Sequence, residues 1–161
     1  MRKPAILLLS VLLFMSMAIT VSAETVFEDK NAIYDYSRTP EVSTTLGKGS
    51  EGKNSLNATK TATSNTNARV WVSSKPYSLS TSKSTIKEDY IYTRARVFDK
   101  NGRTLSSKTD SQKKTNIVSA TAYHPSLLWT KGDYGLGNHQ YRTSGYKDVY
   151  HQTKDFFKLV G

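Results

Sequence analysis

Apolar and polar residues alternate with a period of two along the C-terminal half of this 161-residue chain. Over residues 90–98, Ile91, Thr93, Ala95 and Val97 fall on one face. Tyr90, Tyr92, Arg94, Arg96 and Phe98 fall on the other. Successive strand side chains point to opposite sides, so this is the pattern of a half-buried β-strand. Asp99-Lys100-Asn101-Gly102 follows, and Asn-Gly favours the left-handed dihedrals of a type I′ hairpin. The return run, 103–110, is polar and predicts an edge strand. Residues 115–123 repeat the alternation, with Val118, Ala120 and Ala122 opposing Ile117, Ser119, Thr121 and Tyr123. Further strands are predicted at 68–73, 141–143 and 147–153. Tyr and β-branched residues suit such pleated surfaces, and no stretch of twelve residues carries a helical stripe. The expectation is all-β: a small antiparallel β-sandwich, or partly open barrel, of six or seven strands.

The pattern fails before residue 68. Residues 24–67 hold thirteen Ser/Thr, five Asn and only eight large apolar residues. Five of those eight lie in the short run 26–36, where a weak element is conceivable. Such a composition offers too little apolar surface to offset the entropy of ordering. It predicts a mostly disordered leader or linker over 24–67, followed by a single domain at 68–161.

At the start, Arg2 and Lys3 precede an apolar run from Ala5 to Ile19, and Val21-Ser22-Ala23 places compact residues where a signal peptidase reads. The run is shorter than the roughly 20 residues of a membrane-spanning helix. The segment 1–23 is therefore expected to be a signal peptide cleaved after Ala23. No second hydrophobic run follows, which predicts a secreted, soluble mature chain without a transmembrane segment. The chain has no Cys, which excludes disulfide scaffolds, thiol catalysis and Cys-ligated zinc. An exported Cys-free chain rich in Lys, Ser, Thr and Asn fits a bacterial exporter of the Gram-positive kind.

Charge narrows the partners. The chain carries 23 Lys+Arg against 13 Asp+Glu, a formal +10. Without Arg2 and Lys3 the balance is 21 to 13. Residues 24–60 contribute −1 and residues 61–161 contribute +9. The surplus thus belongs to the domain, and outside such a cell the abundant polyanions are anionic wall polymers and lipid head groups.

Catalytic signals are weak, and no catalytic or metal-ligating set is nominated. Gly47-Lys48-Gly49-Ser50-Glu51-Gly52 matches GxGxxG, yet it lies in the Ser/Thr-rich segment with no strand–helix context, so no nucleotide and no cofactor is expected. His124, His139 and His151 lie 15 and 12 residues apart, without metal-site spacing, although Asp133 falls between two of them. No GxSxG occurs, and the domain's scattered acids nominate no catalytic pair. Asn57-Ala58-Thr59 is a glycosylation sequon, relevant only to a eukaryotic source.

Two positive signals remain. The segment 129–142 interleaves Trp129, Tyr134 and Tyr141 with Lys131, His139 and Arg142 around three glycines. It reads as a binding loop for a sugar or phosphate polymer. Arg94 and Arg96 share a strand face with Tyr92 and Phe98. The expectation is a secreted cationic, non-enzymatic protein that associates electrostatically with cell-envelope polyanions, an anionic wall polymer or a lipid surface. The competing readings are a bacteriocin-like antimicrobial toxin, and a small secreted hydrolase or metal-dependent enzyme built on the histidines.

Overall fold

Ten strands follow one another in the computed structural model, which describes residues 32–36, 38–48 and 58–160. They are β1 (Ala32–Asp35), β2 (Glu41–Gly47), β3 (Thr59–Trp71), β4 (Tyr77–Glu88), β5 (Tyr90–Phe98), β6 (Thr104–Gln112), β7 (Thr115–Tyr123), β8 (Tyr134–Arg142), β9 (Asp148–Phe156) and β10 (Lys158–Val160). The first sheet has the order β1-β9-β8-β5-β6. The second has the order β10-β3-β4-β7, with β2 also paired to β3. The pairs β1–β9 and β10–β3 are parallel and the others antiparallel. The two sheets pack face to face, so the fold is a β-sandwich. Among the described residues no helix is long and apolar enough to cross a membrane.

The alternation in β5 and β7 is observed as read, with Ile91, Thr93, Ala95, Val97, Val118, Ala120 and Ala122 all buried. Strand β6 lies at the edge of its sheet. Three expectations are corrected. The strands number ten rather than six or seven. The boundary at residue 67 falls inside β3, and the supposed linker contains β1, β2 and most of β3. The turn after β5 is not type I′. Gly102 has a φ of 84°, Asn101 does not have positive φ, and Gly102 N–H bonds Asp99 O at 3.0 Å. This is the three-residue loop in which a left-handed glycine follows a turn. Residues 1–31 and 49–57, covering the signal segment, most of the GxGxxG match and Asn57, lie outside the described residues.

One edge of β3 is satisfied piece by piece. Strand β2 pairs with it as far as Asn65, and β10 pairs with it from Arg69 to Trp71. In the gap between them, Thr66 N–H donates to Pro40 O at 2.9 Å and Ala68 N–H to Asp155 Oδ2 at 3.0 Å. Lys154 N–H donates to Thr39 O at 2.9 Å, so residues 39–40 join the two sheets. Asp155 also takes Arg69 Nη1 at 3.0 Å. A buried carboxylate here completes a sheet edge that would otherwise leave an unpaired donor.

The interior is polar at its centre. One apolar cluster contains Ala68, Val70, Ala95, Val97, Ala120, Ala122 and Phe157. The other contains Leu46, Ala62, Ile91, Val118, Tyr141 and Val149. Along the strands, Ser64, Thr66, Ser80, Ser82, Thr93, His139, His151 and Thr153 come between them, all buried. Their hydroxyls admit a single proton order. Ser82 donates to Tyr92 O, so it accepts from His139 Nδ1 at 2.9 Å. His139 Nε2 then accepts from Thr153 at 2.8 Å, Thr153 from Thr66 at 2.6 Å, and Thr66 from Ser80 at 2.9 Å. Likewise Tyr141 donates to Thr63 O, Ser64 to Tyr141, and His151 Nδ1 to Ser64, while Thr44 donates to His151 Nε2. Both imidazoles, kept neutral by burial, are in this order Nδ1–H tautomers. Burial holds His139 down to about 3 and His151 down to about 4.

Two outcomes follow from this interior. A Cβ on Gly137 would overlap Thr66 Oγ1, His139 Nε2 and Thr153 Oγ1. Gly137→Ala should therefore destabilise the fold by about 1–3 kcal/mol or more in urea denaturation. Both histidines bind a proton more weakly when folded than their unfolded value of 6.5, so the unfolded chain takes up protons first and stability falls as pH falls. The slope should rise from about 0.7 kcal/mol per pH unit for each imidazole at pH 6.5, where the unfolded ring is half protonated, toward about 1.4 near pH 5. Denaturation midpoints that stay flat over that interval would contradict the buried neutral pair.

Candidate functional site

The inward positions of the first sheet carry the polar interior, so its outward positions are released for another use. Cross-strand register arranges them in rows. Tyr34, Tyr150, Gln140 and Tyr92 form one row across β1, β9, β8 and β5. Gln152, Asn138 and Arg94 form the next, then Lys154, Leu136 and Arg96, then Phe156, Tyr134 and Phe98. The face therefore reads as two aromatic bands with amides and cations between them. Strands lie about 4.8 Å apart, so five of them make a surface on the order of 20 Å wide.

The side chains brace one another. Tyr34 stacks on Tyr150, ring centroids 5.0 Å apart and planes at 13°, and Gln140 Nε2 donates to the Tyr150 hydroxyl at 2.9 Å. Phe98 stacks on Tyr134 at 5.0 Å and 6°. Lys154 Nζ sits 3.8 Å from the Tyr134 ring centroid and 4.7 Å from that of Phe156. Arg96 lies over Phe98 at 5.3 Å and donates to Asn138 Oδ1. Arg94 Nε donates to Ser107 Oγ at 2.9 Å, and Arg38 Nε to Gln152 Oε1 at 2.9 Å. Each cation is thus aimed by a ring or a neutral oxygen. Partial burial, then the nearby Asp148 carboxylate, raises the Tyr150 phenol above its ordinary value.

The binding loop expected over 129–142 is not one surface. Residues 134–142 form β8, an interior strand of its sheet. Tyr134 faces outward within the aromatic–cation face. His139 and Tyr141 point into the core, and burial pushes the Tyr141 phenol up to about 12. Arg142 stands at the far end of β8, its Nε 2.7 Å from Asp148 Oδ2, and this hydrogen-bonded charge raises the guanidinium further. Trp129 and Lys131 do lie in a loop, with Trp129 packed toward Phe157 at 6.4 Å and Lys131 exposed. The mistake was to read glycines as loop residues. Gly135 and Gly137 are strand positions where the opposite sheet's hydroxyls press on the backbone.

The three histidines do not converge. His139 and His151 are cross-strand neighbours in the core, while His124 lies at the end of β7 with Nε2 3.8 Å from Asp133 Oδ2. Asp133 also accepts Lys100 N–H at 2.9 Å and Thr130 N–H at 2.7 Å, so it ties the 124–133 loop to the β5–β6 hairpin. Among the described residues no group of three or more His, Asp or Glu could hold a metal ion.

Sequence reading finds Arg94 and Arg96 on the outer face, reads Tyr134 as a loop residue, and misses Tyr34, Asn138, Gln140, Tyr150, Gln152, Lys154 and Phe156. The last four alternate with buried Val149, His151, Thr153 and Asp155. That period of two was the available signal. Comparison with protein-family models, curated proteins and solved structures finds no match to the chain.

Proposed function

We propose that the protein binds extended anionic polymers of the cell envelope along the outer face of its first sheet. The observation that carries this reading is the row of Arg94, Arg96 and Lys154 set among Asn138 and Gln152, between the Tyr34–Tyr150 stack and the Phe156–Tyr134–Phe98 band. Phosphodiester or carboxylate groups of a polymer meet the cations. Its sugar or polyol units meet rings and side-chain amides. A face built from strands is flat and long, which suits a chain better than a small molecule that needs enclosure. The +9 balance of residues 61–161 supports the same reading, and so does the export signal expected at 1–23. The protein on this reading acts by binding rather than by catalysis, in the secreted or wall-associated space.

Binding to purified walls should fall at least about tenfold between 50 and 500 mM salt, because screening weakens exposed charge contacts. The triple variant R94Q/R96Q/K154Q should lose about tenfold in low salt, roughly 0.5 kcal/mol for each charge. Walls stripped of their anionic polymer should bind neither form. Retention that is indifferent to salt and to the triple substitution would refute the proposal.

A further inference from the structure

A second surface lies at one end of the sandwich, where β3, β5, β7 and β9 finish. Three connections meet there: residues 72–76 after β3, the 99–103 hairpin after β5, and the 124–133 loop after β7. They are locked to one another. His124 N–H donates to Pro76 O at 2.8 Å, and Asp133 receives both Lys100 N–H and Thr130 N–H. Phe157 N–H donates to Asp133 O at 3.1 Å, which fixes the same loop to the end of β9. The tip is a braced platform.

Several of its exposed residues are large and apolar. Val72 is 77% exposed, Leu127 59% and Leu128 82%, with Trp71 and Tyr123 half exposed behind them. Single exposed leucines are unremarkable in folded proteins, but several converging on one end mark an interaction surface. Lys75, Lys100 and Lys131 stand exposed among them, and no ion pair engages them among the described residues. The acids of this end are turned inward. Asp133 and Asp155 are buried, and Asp99 is held by Arg103 Nε at 3.2 Å and by the Asn101 and Arg103 N–H groups. An open groove of about 380 Å³ lies between hairpin and loop, lined by Lys100, Arg103, Leu105 and Leu128 together with Asp99 and Asp133.

We propose that this tip docks onto an anionic lipid bilayer, inserting Val72, Leu127 and Leu128 into the interface while Lys75, Lys100 and Lys131 meet the head groups. The charge pattern selects this occupant. A protein partner or a second copy would have to supply its own ring of acids around an apolar centre. An anionic bilayer offers that combination over any area: a negative surface above an apolar layer. The insertion is shallow, since only loop residues project and the strands behind them are paired to their ends.

The test is co-sedimentation of the intact protein with phosphatidylcholine vesicles, with and without roughly a third phosphatidylglycerol. The protein should partition onto the anionic vesicles and not the neutral ones. L127S/L128S and K100Q/K131Q should each lower the partition coefficient about tenfold or more, the loss expected when an interfacial leucine or a pair of surface lysines is removed. All these side chains are exposed, and thermal unfolding of the variants will verify that the fold is kept. Both variants should retain wall binding, and R94Q/R96Q/K154Q should retain vesicle binding, so this proposal and the polymer reading fail separately. Equal partition onto neutral and anionic vesicles overturns the lysine role. Undiminished binding by L127S/L128S overturns insertion. A dimer of the unmodified protein that dissociates on the same leucine substitution, with no vesicle binding, would make the tip a contact between copies instead.

Discussion

The hydroxyl–imidazole chain through the middle of the sandwich is the constraint on which the rest of the structure depends. It runs from Ser80 on β4 through Thr66 on β3, Thr153 on β9 and His139 on β8 to Ser82 on β4 and the Tyr92 carbonyl of β5. Each hydroxyl of this chain is tolerable because its neighbour supplies the missing donor or acceptor. Removing one member leaves the next unpaired, at a cost of about 1–3 kcal/mol. The chain also accounts for the glycines of β8. Thr66, Thr153 and Ser78 come so close to that strand that residues 135 and 137 have no room for a Cβ. A one-residue slip of any participating strand would bury its outward residues and strand the network. Register is thus specified by hydrogen-bond matching where most sandwiches rely on interlocking apolar side chains.

The same chain explains which strands were legible in the sequence. In β5 and β7 the inward positions end in Ala95, Val97, Val118, Ala120 and Ala122, and hydrophobic alternation found both. In β4 the inward positions are Ser78, Ser80, Ser82 and Ser84, while Leu79 faces out. The usual signal is erased there, and at one position reversed. Strand β3 has the same difficulty at Ser64 and Thr66, which is why residues 41–67 resembled a linker. Polar side chains that stay in water do not offset the entropy of ordering. Here they are buried and paired across sheets, with Val42, Leu46 and Ala62 supplying apolar surface around them.

The outer face was half legible for a related reason. Once a strand is recognised, its outward residues follow from the pleat, and Arg94 and Arg96 were placed correctly. On β8 the local pattern marks a strand only from residue 141, so Tyr134 reads as loop and His139 and Tyr141 read as ligand-facing. The aromatic density of 129–142 was real, but the pleat divides it among two faces and a loop. Rows such as Tyr150-Gln140-Tyr92 depend on register between strands distant in sequence, which no local pattern contains.

Inside and outside of the first sheet are therefore two independent texts written on alternate residues. The inward set is committed to the hydroxyl–imidazole chain, and its histidines are held neutral and away from any outside ligand. The outward set meets that chain at the main-chain carbonyl of Tyr92, which accepts from Ser82. Tyr150 and His151 are adjacent in sequence, yet one stacks on Tyr34 and the other is fixed between Thr44 and Ser64. Substitutions on the outer face and at the tip share no partners with the interior, so their effects on binding should add to interior effects on stability with little coupling. The charge surplus is then explained by position: the interior has no use for extra cations beyond the Lys60–Glu88 pair, buried at 2.8 Å. The remaining lysines and arginines collect where the pleat and the loops face solvent.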